Sequence, residues 1–256
     1  MTGSKPTRNT MPQGMDNTTE ALKAPANPAE EKALKDFKKF QAMPNDDLAK
    51  KAGVGEDFVK KYPNSMYAQP VYSFLTVAYI QTNNMDKGVA SGEKDLQLKP
   101  GDTRIMAYLG QALARTVTGD TPDAAGRLAK SEDYAKKAIA QTWSAAKPET
   151  MSEADFAAMN KDILAMSHGT LGLIAIRKNS IDAAIPELEQ AVQTGSNEDP
   201  TNLYLLGVAY QNSGHPDKAL PNLEKCAAVK GTNLTATCAS LAEQSKKDAG
   251  QAPAKP

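Results

Sequence analysis

Aromatic side chains are scarce in this 256-residue sequence: they make up 5% of it, and the one tryptophan is Trp143. Sandwiches and barrels draw heavily on aromatic and β-branched residues, so this scarcity, beside abundant Ala, Leu, Lys and Glu, argues for helices packed through small side chains. Histidine is limited to His168 and His215, and cysteine to Cys226 and Cys238. Neither a His-rich tract nor a Cys-x-x-Cys spacing offers a metal site, and no glycine-rich phosphate loop or nucleophile elbow is present. These absences predict a protein that is not an enzyme and holds no cofactor and no metal, with a small-ligand receptor or enzyme as the outside alternative. Net charge is missing too: 30 basic residues balance 30 acidic ones. That removes the electrostatic argument for nucleic acid or an anionic membrane as partner. No apolar run approaches the roughly 20 residues of a membrane helix; the longest is the eight-residue Gly169–Ile176. The first twenty residues contain no apolar stretch resembling a secretory signal, so the sequence taken literally predicts a soluble, cytoplasmic chain.

What is present is helical periodicity. Apolar residues recur every three or four positions, broken by short Asn, Gly and Pro punctuation, and no alternating strand pattern occurs. The punctuation marks eleven helices, near residues 28–43, 45–62, 66–82, 85–98, 103–117, 122–143, 152–178, 181–194, 200–212, 216–229 and 234–247. Asn45 and Thr121 stand as caps, and Thr150 with Glu153 as a capping box. Residues 1–27 and 250–256 lack periodic apolar positions and read as flexible tails.

Four segments align without gaps: Tyr-Ser-Phe-Leu-Thr-Val-Ala-Tyr (72–79), Met-Ala-Tyr-Leu-Gly-Gln-Ala-Leu (106–113), His-Gly-Thr-Leu-Gly-Leu-Ile-Ala (168–175) and Leu-Tyr-Leu-Leu-Gly-Val-Ala-Tyr (203–210). Leu75 and Leu109 lie 34 residues apart, Leu171 and Leu206 35. A period of about 34 residues with a large residue, then Leu-Gly, then Tyr on the first of two helices is the tetratricopeptide signature, and the sequence resembles that family over 64–232. The fourth copy fits best, through Leu203, Leu206, Gly207, Tyr210, Ala219, Leu223 and Cys226. The third fits through His168, Leu171, Gly172, Ala175, Ala184, Leu188 and Ala191. In the first, Thr76, Gly88, Gly92 and Asp95 depart from the pattern, which questions the tight packing of its second helix. The resemblance implies an all-α solenoid of antiparallel helical hairpins: a degenerate hairpin at 28–63, repeats over 64–232, and a capping helix at 233–249 whose polar side faces water.

One spacing fails. Leu109 and Leu171 are 62 residues apart, 28 more than one period. Both flanking helices continue in phase, so the excess reads as an elongated hairpin over 122–178 rather than an inserted domain. Shared equally, it adds about 14 residues, or roughly 20 Å, to each helix.

Function follows from the resemblance as an expectation: such solenoids bind proteins, with a partner segment lying along the concave face made by the first helices. In this chain the concave stripe is Pro70, Ser73, Val77, Ile80 and Gln81, then Arg104, Ala107, Gln111, Ala114 and Arg115. The third and fourth copies contribute Met166, Gly169, Leu173, Ile176 and Arg177, then Thr201, Tyr204, Val208, Gln211 and Asn212. The partner-binding candidates are Gln81, Arg104, Gln111, Arg115, Leu173, Ile176, Arg177, Tyr204, Gln211 and Asn212, a mixture that suits an extended or amphipathic peptide. The carboxylate clamp of chaperone-binding relatives is missing, since Ser73 and Val77 stand where it needs Lys and Asn. The helix over 30–42 could instead cover the apolar stripe. His168, at a packing position, and His215, in a turn, carry no expected catalytic role. Cys226 and Cys238 should lie near one another, either as buried thiols or as a disulfide. The segment 58–68, Phe-Val-Lys-Lys-Tyr-Pro-Asn-Ser-Met-Tyr-Ala, is similar to a phrase of bacterial cell-envelope tetratricopeptide proteins, which sets an envelope assembly or periplasmic coordinating role against the cytoplasmic reading.

Overall fold

The computed structural model describes residues 24–251, which fall into eleven α-helices and no strand. The N-terminal hairpin is α1 (Pro28–Gln41) and α2 (Leu48–Lys61). Four further pairs follow: α3 (Ala68–Gln81) with α4 (Met85–Leu98), α5 (Thr103–Thr116) with α6 (Ala124–Gln141), α7 (Glu153–Arg177) with α8 (Ile181–Thr194), and α9 (Pro200–Asn212) with α10 (Pro216–Ala228). The last helix, α11 (Thr235–Gln251), packs on α10. Each pair is a helical hairpin, and α3, α5, α7 and α9 also touch in sequence, so the first helices form one continuous layer. The expected tails lie outside the described residues at 1–23 and 252–256, while the helix expected to end by 249 runs on to Gln251.

The hairpin turns show why the repeat is regular. Asn83, Asn179 and Gly214 occupy the same repeat position, eight residues after Leu75, Leu171 and Leu206. All three have positive φ, at 59°, 56° and 76°. In each, the next residue's amide bonds back to the third-last residue of the helix: Asn84 to Tyr79 at 2.7 Å, Ser180 to Ala175 at 2.8 Å and His215 to Tyr210 at 2.9 Å. This closure satisfies the terminal carbonyls and demands a left-handed residue, a conformation that Asn and Gly adopt with least strain.

The helix pairs meet through one recurring contact. A Cβ built on Gly172 would lie 2.5 Å from Leu188 Cγ, and one on Gly207 would lie 2.5 Å from Leu223 Cγ. Both pairs are separated by 16 residues. The first copy reverses them. Sixteen residues after Thr76 stands Gly92, where a Cβ would meet Thr76 Cγ2 at 3.1 Å and Leu109 Cδ2 at 2.7 Å. The departures noted at Thr76 and Gly92 therefore exchange large and small across one contact, and close packing survives in reversed order.

Three expected caps move. Asp47, not Asn45, caps α2 through Lys50 N, while Asn45 Oδ1 accepts from the Lys51 ammonium at 2.8 Å. Asp123, left-handed at φ 53°, caps α6 through Gly126 N, and Thr121 instead accepts from Thr118 N at 2.7 Å. Ser152, not Thr150, caps α7. Side-chain oxygens compete for the same amides, and the register of the neighbouring turn decides among them.

The extra residues are shared unequally. The other first and second helices of the repeats have 13 or 14 residues, whereas α6 has 18 and α7 has 25. The rest lie in the α5–α6 turn, 117–123, and in the connection 142–152, which opens with a 3-10 turn at Thr142–Ser144. Pro148 disfavours helical geometry at Lys147, so one helix cannot run through this connection.

Aromatic residues collect at the N-terminal end. Phe37, Phe40, Phe58 and Phe74 join Tyr67 in one buried cluster, with Phe40 and Phe74 edge to face at 5.2 Å. The Lys51 ammonium sits over both of these rings and donates to Met43 O at 2.8 Å, so aromatic faces and a carbonyl offset the burial of a cation. The buried residues of α1 all belong to this cluster, so α1 seals the end of the stack with α2 and α3, and the buried contacts of α5, α7 and α9 lie in other clusters.

Buried Asp95 is a polar irregularity of the packing between α4 and its neighbours. It takes the place held by Ala191 and Cys226 in later copies and is wholly inaccessible. Its Oδ1 accepts from Gln69 Nε2 at 2.7 Å, and its Oδ2 has no hydrogen-bond partner. Burial first, and the neighbouring Asp102 carboxylate second, push its pKa up to about 8, against the Gln69 bond and the charges of Arg104 and Lys99. The folded chain thus keeps a proton that the unfolded chain releases near the ordinary carboxylate value. The associated stability is complete below about pH 4, falls as pH rises toward 8, and is gone above it. Asp95→Asn keeps the Gln69 contact without the charge. It should flatten this decline and stabilise the chain at pH 8 by about 1–3 kcal/mol, measured by urea unfolding across pH. A variant whose stability falls with pH as steeply as the parent's would place the titration elsewhere.

Candidate protein-binding face

The layer of first helices is the one surface where the ten predicted residues can meet, and none of the ten is fully buried. Arg115, Arg177 and Asn212 are exposed; Gln81, Arg104, Gln111, Leu173, Ile176, Tyr204 and Gln211 are half-buried. They fall into three groups along the helices. Arg104 lies at the start of α5, where its guanidinium donates to Ser73 Oγ on α3 at 2.6 Å. Gln111, Leu173 and Tyr204 occupy α5, α7 and α9 away from their C-terminal ends. Gln81, Arg115, Ile176, Arg177, Gln211 and Asn212 form a row at the helix C-termini.

The structure draws Arg115 and Arg177 together: the Arg177 guanidinium approaches the Arg115 carbonyl at 3.5 Å across α5 and α7. Cations at the C-terminal ends of helices sit in the favourable part of the backbone dipole field. Leu173 packs beside the buried cluster of Ala114, Val117, Leu128 and Ile174. Two exposed arginines thus stand near the C-terminal ends of α5 and α7, on helices that also carry the half-buried Leu173 and Ile176.

Other parts of the expected stripe are used inside the protein. Ser73, Val77, Ile80, Ala107 and Ala114 are at most 5% exposed, and Gly169 is buried against Asn202, whose Oδ1 would lie 2.2 Å from a Cβ there. Adjacent first helices pack side by side, and these flanking positions fill the seams between them. Gln211 is also engaged, donating to Ser245 Oγ at 2.8 Å and to Leu241 O at 3.2 Å on α11, so the last helix covers that end of the row. Tyr204 packs at the edge of the Leu203, Cys226 and Cys238 cluster.

Cys226 and Cys238 are joined as a disulfide between α10 and α11, with both residues fully buried. Of the two readings open from the sequence, this structure has the bonded one. His168 Nδ1 lies 2.7 Å from Glu187 Oε2, a packing-edge contact between α7 and α8. Among the described residues no three metal-ligating side chains converge, and no helix is long and apolar enough to cross a membrane. An open polar cleft of about 630 Å³ lies between the α3–α4 and α5–α6 turns, lined by Asn83, Asn84, Asp86, Thr116, Thr121 and Arg127 among others.

Two features escaped sequence reasoning. Tyr79 and Tyr210 donate to carboxylates of the preceding second helix, Glu56 and Glu189, and each ring carries a lysine eight residues on, Lys87 and Lys218. The recurring Tyr–Lys spacing was visible in the sequence; the carboxylates, on other helices, were not. Trp143 stands 62% exposed in the connection after α6, where a lone tryptophan outside every apolar stripe was the available signal.

Comparison with known proteins agrees with this architecture. The Tetratricopeptide repeat family model matches residues 200–233, the fourth copy. No curated protein matches the sequence. Among solved structures, PilW, a widely conserved type IV pilus biogenesis factor, is similar at 17% identity and a TM-score of 0.57, covering 89% of each chain. A thermophilic TPR protein of Thermus thermophilus is similar at 17% identity and a TM-score of 0.52, covering 86% of this chain and 98% of that one. At such identity the likeness is one of fold. The chain thus carries a tetratricopeptide repeat at 200–233 and has, over most of its length, the paired-helix fold of tetratricopeptide repeat proteins.

Proposed function

We propose that the chain is a non-catalytic protein-interaction module, an adaptor or scaffold that holds a partner segment along the layer of α3, α5, α7 and α9. The observation that carries this reading is the exposed Arg115–Arg177 pair beside half-buried Leu173 and Ile176. Such a strip fits an extended or amphipathic segment with an apolar side and carboxylate acceptors, because guanidinium groups grip carboxylates through paired, charge-assisted hydrogen bonds. A partner isolated on the immobilised chain should bind Arg115→Ala, Arg177→Ala and Tyr204→Ala each about 1–3 kcal/mol more weakly by calorimetry. Both arginines are exposed, so their variants should keep the parent's helicity. Unchanged binding by the triple variant would place the interface elsewhere.

A more specific reading, a cell-envelope assembly or periplasmic coordinating factor, is favoured by the disulfide, since such bonds persist mainly in oxidising compartments. Alkylation of intact cells before lysis separates it from a cytoplasmic adaptor. An envelope protein should present no thiol at Cys226 or Cys238, and two alkylated cysteines would end this reading.

A further inference from the structure

The connection between α6 and α7 holds a second exposed feature, remote in sequence from the arginine pair. Trp143, the chain's one tryptophan, is 62% exposed, more than Leu98, Met66 or Val54, the other large apolar residues left open among the described residues. It is presented from an ordered stand. Its neighbour Thr142 is wholly buried and donates to Ala138 O at 2.6 Å. Ala145 N bonds back to Thr142 O at 3.4 Å, Met151 N to Pro148 O at 3.0 Å, and the Lys147 ammonium to Met151 O at 2.8 Å. The backbone that carries the indole is braced, so binding there orders little of the chain, and tryptophan is a frequent anchor in interfaces.

The charge along this connection is mainly negative. The whole chain is neutral, but residues 142–155 carry Glu149, Glu153 and Asp155 against Lys147, a local net charge of −2. All three acids are exposed, while the one cation is half-buried and turned inward to Met151 O and, at 3.6 Å, to Glu153. Glu153 and Asp155 also suit the N-terminus of α7; Glu149 precedes that helix and has no such role. Exposed carboxylates repel an anionic lipid surface and attract a basic chain, and an open indole face binds a guanidinium or ammonium through its quadrupole.

We propose that the tip formed by residues 142–155 is a second docking surface, one that takes a basic protein segment by seating an arginine or lysine side chain on Trp143 while the flanking carboxylates hold its neighbours. This surface is independent of the arginine-lined face proposed above, which favours acceptors of the opposite charge.

Because Trp143 is the only tryptophan, its emission reports the tip alone. The probe is a labelled nona-arginine peptide, with binding followed by anisotropy and by indole emission at two salt concentrations. The wild-type chain should bind it with a change in indole emission. Trp143→Ala, and separately the triple change Glu149→Gln, Glu153→Gln, Asp155→Asn, should each weaken binding about tenfold at low salt with helicity unchanged. Arg115→Ala with Arg177→Ala should leave peptide binding as it was, so failure here and failure of the first-helix face are told apart. Indole emission unchanged at saturating peptide, or equal affinity of the Trp143→Ala chain, would overturn the proposal. So would a blue shift with phosphatidylglycerol vesicles but not with the peptide, which assigns the tip to lipid. Emission that changes with protein concentration alone, with a dimer in sedimentation, would assign it to a second copy and equally overturn it.

Discussion

Replacing Gly207 by threonine should destabilise the chain by about 2–3 kcal/mol in urea or thermal unfolding, because a Cβ there would lie 2.5 Å from Leu223 Cγ. Helix propensity alone predicts the opposite sign, since glycine is the poorer helix former by a few tenths of a kcal/mol. The clash is the larger effect and decides the outcome. Leu223→Gly alone should cost more, about 3–5 kcal/mol, through a lost buried side chain and a glycine in mid-helix. The informative case is the pair. Gly207→Thr combined with Leu223→Gly would recreate the Thr76 and Gly92 arrangement that the first copy already uses. The double variant should therefore be more stable than the sum of the single changes by about 1–3 kcal/mol. Simple additivity would mean that neighbouring side chains absorb the clash, and that the reversal in the first copy is unrelated to packing.

Removing the disulfide should cost about 2–3 kcal/mol, since it closes a 12-residue separation between α10 and α11. For a chain of this size that lowers the melting temperature by roughly 4–12 °C. Alanine at both sites is the cleaner variant: serine would bury a hydroxyl where both residues are wholly inaccessible, and Ala191 already fills the equivalent of Cys226 in the third copy. Truncation before α11 should do more. Cys238, Ala242 and Ser245 form the buried stripe of that helix, with Ala242 packed in the cluster of Leu206, Tyr210 and Leu223. Deleting 235–256 uncovers this cluster and removes the bond from Gln211 to Ser245. Terminal repeats without a polar cap expose an apolar face, so the truncated chain should associate in sedimentation and fray from the fourth copy inward. A monomeric fragment as stable as the full chain would show that α11 is not a cap. A reduced chain that melts with the oxidised one would show that the bond adds nothing to the cap.

Much of the architecture could be read locally. Helix positions followed from the three-to-four periodicity and from Asn and Gly punctuation, because the left-handed turns at Asn83, Asn179 and Gly214 are set by residues within one turn of them. The repeat was legible in Leu-Gly for a related reason: a glycine that must admit Leu188 or Leu223 cannot drift in register. Caps were less legible. Asp123 rather than Thr121 starts α6, and Ser152 rather than Thr150 starts α7, since several oxygens compete there and only the settled backbone chooses among them.

The binding face was half legible. Helical periodicity placed Gln81, Arg115, Arg177 and Asn212 on one side of their helices, and they remain accessible. It could not show that Ser73, Val77, Ala107 and Ala114 fill the seams between neighbouring first helices, nor that α11 takes up Gln211. By itself, then, the sequence determined the helices, their pairing into repeats and the nearness of the two cysteines, all of which depend on contacts within one or two turns or one period. Only the tertiary structure decided which side chains stay open to a partner, how the extra 28 residues divide among α6, α7 and the connections beside them, and that Trp143 ends up in water. Those outcomes depend on how close one helix comes to another, and that distance is set by the packing of side chains that meet only when the chain is folded.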